Sequence, residues 1–176
     1  MSIEEYLNQI KKMIDDLKAM SANLGLANTG DEYKIISELF TYKFLNDKLL
    51  YEFEKREDEN ETFEDFVDFA PINIAKMRKE HLVDNLYQQQ NKENFNQILD
   101  QAFMEVNELN KDIYTVETVT GQKKNLFEPL STYIRDPNKE LELAKRAINI
   151  MAEHKFTNIY EDGFDYFSSV FEYLIK

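Results

Sequence analysis

Few residues in this chain are of a type that could do chemistry. His81 and His154 are its only histidines, and it has no cysteine. That excludes a thiol nucleophile, a disulfide and a cysteine-based zinc site. A histidine metal centre would need the imidazoles to converge with carboxylates, and neither sits in ligand spacing of the H-E-x-x-H kind. Both therefore read as surface or helix-packing residues. Ser21, Ser37, Ser131, Ser168 and Ser169 lie outside any G-x-S-x-G elbow. The glycines, Gly25, Gly30, Gly121 and Gly163, are too scattered for the G-x-G turn that lets backbone approach a nucleotide cofactor. The expectation is thus no catalytic, cofactor-binding or metal-ligating residue. What is left is basic: Arg78 with Lys79, and Lys123 with Lys124, two pairs able to touch a phosphate or a partner surface.

Such contacts would have to be local. The chain carries 21 Lys and Arg against 34 Asp and Glu, a formal net charge of -13, the wrong sign for gripping phosphates over a whole surface. Most of the excess acid reads as solubilising helix surface, and the sharper alternative is an acidic mimic of DNA. The run Glu52 to Glu61 reads as a fraying helix end and a solvated loop, since carboxylates in open solvent are poorly suited to general acid work.

The elements that position these residues are mainly helical. Ile3, Tyr6, Leu7, Ile10, Met13, Ile14, Leu17 and Met20 recur at three- and four-residue steps, an amphipathic helix with Ser2 and Glu5 as its capping box. A break follows from Ser21 to Gly30. Thr29 and Glu32 then open a second helix, Asp31 to about Arg56, apolar around so much of its circumference that neighbours must bury it. Phe63, Phe66, Val67 and Phe69 form an apolar cluster before Pro71. Helices are expected at Met77 to Gln89, at Glu93 to Leu109 and at Asn138 to Ala152, the last with Leu141, Ala144, Ile148 and Met151 as its stripe. A further helix is expected from Phe164 to Ile175. Tyr114 to Lys124 clusters β-branched residues before Gly121, which predicts a small β-hairpin. The aromatics Phe40, Phe44, Phe95 and Phe103 fall on apolar stripes and belong to a core. The fold class is all-α, a mainly helical bundle in one domain over 1–176, with that hairpin near 114–124. The start of the chain lacks the blocks of a signal peptide, and no apolar run reaches the roughly 20 residues of a membrane span, so a cytoplasmic protein without membrane contact is expected.

Two segments carry a family resemblance. The run from Gly30 to Leu50, with Asp31-Glu32-Tyr33-Lys34 leading into an aliphatic and aromatic helix through Leu45-Asn46-Asp47, resembles the second helix in the amino-terminal domain of modification subunits from type I restriction-modification systems. The run Asp162 to Lys176 is similar to the segment in which those subunits pass toward their catalytic domain, with Phe171-Glu172-Tyr173-Leu174-Ile175 departing from the family pattern by Phe in place of the first Tyr. The resemblance implies a protein that transfers a methyl group from S-adenosylmethionine to the N6 amino group of adenine in duplex DNA. Its partners would be a specificity subunit and a restriction subunit.

That chemistry needs an Asn or Asp followed by Pro-Pro and an aromatic, to receive and stack the flipped adenine. No two prolines are adjacent here. The chain therefore resembles the helical amino-terminal domain alone, with the catalytic domain expected downstream, no S-adenosylmethionine site of its own and no activity in isolation. Its role would be assembly and enclosure of DNA, with Arg78, Lys79, Lys123 and Lys124 toward DNA or a partner. The rivals are a free-standing acidic helical interaction module or DNA mimic, and a small helical enzyme. The last would need a pocket of paired groups with shifted pKa values, for which the sequence offers no pair.

Overall fold

Glycine at position 25 shows how the chain is folded from local rules. Its φ of +79° is left-handed backbone, open to glycine at little cost. The Gly25 and Leu26 N–H groups reach back to the carbonyls of Ala22 (3.1 Å) and Ser21 (2.8 Å), the bond pair of a Schellman ending. This stops α1 (Ile3–Asn23), which buries Tyr6, Ile10, Met13, Ile14, Leu17 and Met20 on the expected stripe. The computed structural model describes residues 3–71, 74–111, 116–117 and 123–156, and the fold is all-α. Ser2 of the expected capping box and the expected helix from Phe164 to Ile175 lie outside the described residues.

Thr29 caps α2 (Gly30–Glu54) by accepting the Glu32 N–H at 3.2 Å, and Asp31 and Glu32 sit at the positive end of the helix dipole. Apolar Ile35, Ile36, Leu39, Phe40, Tyr42, Leu45 and Leu49 are buried, and so are polar Glu38, Lys43, Asn46 and Asp47. The acidic stretch after α2 is more ordered than expected. Arg56 lies over the Phe53 ring at 3.9 Å and donates to the carbonyls of Phe53, Glu59 and Glu61, so one cation organises the loop. Thr62 then caps α3 (Phe63–Asp68), whose Phe63 and Phe66 meet Phe53 edge-on at 5.4 and 5.5 Å. Phe69 is not part of that cluster, being 82% exposed.

The expected helix from Met77 to Gln89 is not continuous. A 3-10 turn at Lys79–His81 is followed by extended Leu82 and then α4 (Val83–Gln88). Distant side chains satisfy the backbone there and override the local preference for helix: Tyr42 Oη donates to the His81 carbonyl (2.6 Å) and Asn46 Oδ1 accepts the Val83 N–H (2.9 Å).

On α5 (Phe95–Leu109), Leu99, Ala102, Phe103 and Val106 face the core. Asn107 and its follower Asn110 each bind both backbone groups of one distant residue. Asn107 accepts the Phe127 N–H (3.0 Å) and donates to its carbonyl (2.7 Å), while Asn110 does the same with Lys76 at 2.7 and 2.8 Å. Asn107→Ala would leave two buried backbone groups of Phe127 unpaired, an expected loss of about 2–4 kcal/mol in urea unfolding. A loss under about 0.5 kcal/mol would show that the Phe127 backbone finds other partners.

Beyond α5, β1 (Val116–Glu117) and β2 (Lys123–Lys124) pair antiparallel, Val116 opposite Lys124 and Glu117 opposite Lys123, and the turn between them lies outside the described residues. A 3-10 turn at Leu130–Thr132 is held by Asp100, which accepts the Leu130 N–H at 2.6 Å. Asp136 caps α6 (Pro137–Glu153) by accepting the Asn138 N–H at 2.9 Å, with Pro137 where its missing donor does no harm. Its buried stripe is Leu143, Ala144, Ala147, Ile148 and Met151, with Leu143 rather than Leu141 at full depth. This helix lies against α1, α2, α4 and α5, so the core closes around α6 as much as around α2. Among the described residues no helix is long and apolar enough to cross a membrane.

Candidate functional site

The four basic residues are placed differently. Arg78 Nη1 lies 2.9 Å from Asp68 and 3.2 Å from Glu64, and the Asp68 hydrogen bond, with further help from Glu64, holds its guanidinium above the ordinary value. It ties the segment before the 3-10 turn to α3. Lys79, at the start of that turn, is exposed. Lys123 and Lys124 form the second strand of the small ladder. The structure thus separates Arg78 from Lys79 in role, although they are neighbours in sequence.

Each histidine meets carboxylates, a convergence that sequence spacing did not show. His81 is buried; its Nδ1 accepts the Arg78 N–H (3.0 Å), so its proton sits on Nε2 and is donated to Glu105 at 3.1 Å. Glu80 completes this group. The His81 hydrogen bond leads the effects that lower Glu105 below the usual carboxylate range. With both ring nitrogens engaged, the imidazole has no lone pair to offer a metal in this arrangement. His154 lies 3.3 Å from Asp16 and stacks on Phe156 at 5.9 Å, with Glu153 alongside. Lys12 Nζ, 3.1 Å from Asp16 and 3.7 Å from Glu153, already supplies the positive charge there. Burial lowers His154 below its usual value, which favours the neutral ring. Both clusters act as ties between helices.

The most site-like feature is a cleft of about 510 Å³ between α2 and the segment 125–133. Tyr33, Lys34, Ser37, Glu38 and Thr41 line one wall; Asn125, Leu126, Glu128, Thr132 and Tyr133 line the other. Helical spacing explains the first set, since positions 34, 37, 38 and 41 share one face of α2. Glu38 is only 6% exposed. Its Oε1 accepts the Glu128 N–H, while its Oε2 has no hydrogen-bond partner among the described residues. Burial, with added repulsion from Glu128 and Asp100, pushes this carboxyl up to about 8, against the pull of the Glu128 N–H. Ser37 Oγ is likewise buried and unpartnered among the described residues, while the Ser37 carbonyl accepts the Thr41 hydroxyl at 2.8 Å. Tyr133 is held above its ordinary value by burial and by Glu38, Glu128 and Asp31.

Sequence reasoning missed Glu38 because it sits among the family-like residues as one more helix carboxylate, and nothing local marks it as buried. Comparisons with protein-family models, with curated proteins and with solved structures find no match.

Proposed function

We propose that this chain is the amino-terminal helical domain of the modification subunit of a type I restriction-modification system, a cytoplasmic DNA adenine-N6 methyltransferase that works with a specificity and a restriction subunit. The observation that carries the reading is the likeness of two segments in family order, Gly30 to Leu50 and Asp162 to Lys176. The all-α fold is consistent with it. The first of those segments forms α2, buried along its length, which suits a packing element in an assembly domain. In this reading the domain positions subunits and helps close them around duplex DNA, and S-adenosylmethionine binds in a catalytic domain encoded downstream.

The reading frame beyond Lys176 tests the proposal most directly: it should encode a glycine-rich cofactor loop, then Asn-Pro-Pro and an aromatic. A frame without them removes the reading. For the DNA-facing surface, the informative variant in the assembled complex is Lys79→Glu with Lys123→Glu and Lys124→Glu. Arg78 is left intact because reversing it would also break its bridges to Glu64 and Asp68. Each lysine that touches a phosphate should lower the salt slope of duplex binding by about one. Unchanged slope, assembly and methylation would count against these residues. Tight binding of the isolated chain to an intact complex, with loss of that complex's DNA, would favour the acidic mimic.

A further inference from the structure

The cleft between α2 and the segment 125–133 is lined by a carboxyl with an unpartnered oxygen and by two tyrosines, features that the assembly role does not use. A carboxyl oxygen nine-tenths buried and left without a hydrogen-bond partner is costly, and an arriving donor would relieve that cost. Glu38 Oε2 is such an oxygen, and the hydroxyl of Ser37, which also lines the cleft, is a second buried polar atom without a partner among the described residues. The cavity volume, about 510 Å³, lies in the range of small-ligand sites.

The surroundings select the ligand's charge. Glu128 lines the cleft with Glu38, Asp100 repels the Glu38 charge, and Asp31 acts on Tyr133; among the described residues Lys34 is the one cation in the lining. Tyr33, 46% exposed, and Tyr133 bring two aromatic rings to the lining, a side-chain type that attracts cations. A planar cation with several N–H donors meets all of these at once, with one edge on Glu38 Oε2 and Ser37 Oγ and its face toward a tyrosine.

We propose that this cleft is a binding site for a guanidinium group, received by Glu38 Oε2 and Ser37 Oγ beneath the rings of Tyr33 and Tyr133. The group belongs either to a free alkylguanidine or to an arginine side chain. On binding, the Glu38 proton passes to solvent and the resulting carboxylate pairs with the cation.

Calorimetric titration of the full chain with ethylguanidinium tests this, with ethylurea as the neutral isostere. Ethylguanidinium should bind with a dissociation constant on the order of 0.1–1 mM at pH 8, and ethylurea at least tenfold more weakly. Affinity should fall about tenfold per pH unit below about 8, with release of close to one proton measured in buffers of different ionisation heat. Glu38→Gln should lose at least tenfold in affinity together with the proton release. Tyr33→Ala, at an exposed position, should weaken binding severalfold without changing the fold. A capped arginine peptide separates the sources: tighter binding than ethylguanidinium points to an arginine side chain, and equal or weaker binding points to a free alkylguanidine. Equal affinity for the urea, unchanged binding in Glu38→Gln, or no heat at about 10 mM ligand would overturn the proposal.

Discussion

Asp47→Ala is expected to destabilise the chain by about 3–5 kcal/mol, a large part of the roughly 5–15 kcal/mol that holds such a domain folded. Lys43 Nζ and Asp47 Oδ1 lie 3.1 Å apart with side chains only 1% and 3% exposed. Asp47 also accepts the Asn46 amide at 2.8 Å and, through Oδ2, the Phe156 N–H at 2.9 Å, so it fixes the chain just beyond α6. Removing it strands a buried ammonium and two donors. Lys43→Met should cost less, because the carboxylate keeps both N–H donors. The two variants also differ in pH response. Burial already holds Lys43 below its ordinary 10.5, and Asp47 is the main group pulling it back up. In Asp47→Ala burial and Lys155 lower the group with only the weaker pull of Asp84 against them, so on raising pH the folded chain sheds the lysine proton while the unfolded chain still holds it. The unfolded state then binds more protons, and stability rises with pH toward 10.5. Urea midpoints at pH 7 and pH 9.5 check this: a deficit below about 1 kcal/mol, or one that grows with pH, would refute the pairing as described.

The parts of the fold that follow from neighbours in sequence were readable, and the parts fixed by distant partners were not. Thr29 before Asp31-Glu32, Gly25 after the first stripe, and Asp136-Pro137 ahead of α6 each act within a few residues, and the structure places a cap or stop at each. The stripes of α1 and α5 follow for the same reason. Met77 to Gln89 looked like one helix because its apolar spacing is helical, yet Tyr42 and Asn46 reach its backbone from 39 and 37 residues away and break it. The candidate cleft was hidden in the same way. Glu38 meets Glu128 across 90 residues of sequence, and Asp47 meets Phe156 across 109. Periodicity sends a helix carboxylate to solvent by default, and only the return of the chain over α2 buries these two. The histidines read as surface or helix-packing residues; the structure buries both and adds the carboxylate that each engages.

Glu38→Gln should flatten the pH dependence of stability and, above about pH 8, make the chain more stable than the native sequence. The Glu38 carboxyl is raised from 4.5 to about 8, chiefly by burial. Between those values the unfolded chain has lost this proton and the folded chain keeps it, so the folded state binds more protons and stability falls as pH rises. The slope approaches about 1.4 kcal/mol per pH unit, for a total of roughly 3–5 kcal/mol over the window. Two other groups bear on the profile. Asp100, also raised by burial, acts with the same sign above its ordinary 3.8. His154 is lowered from 6.5 by burial, and its contribution runs the other way, rising with pH up to about 6.5. From about pH 6.5 to 8 the Glu38 carboxyl carries the decline, and any protonated fraction of Asp100 adds to it with the same sign. Glutamine keeps a carbonyl oxygen for the Glu128 N–H and cannot ionise, so urea midpoints of the variant should be nearly level there while those of the native chain decline. A native profile that is level over the same interval would mean that Glu38 ionises freely in the folded chain, and with it the buried, unpartnered Glu38 oxygen would be lost.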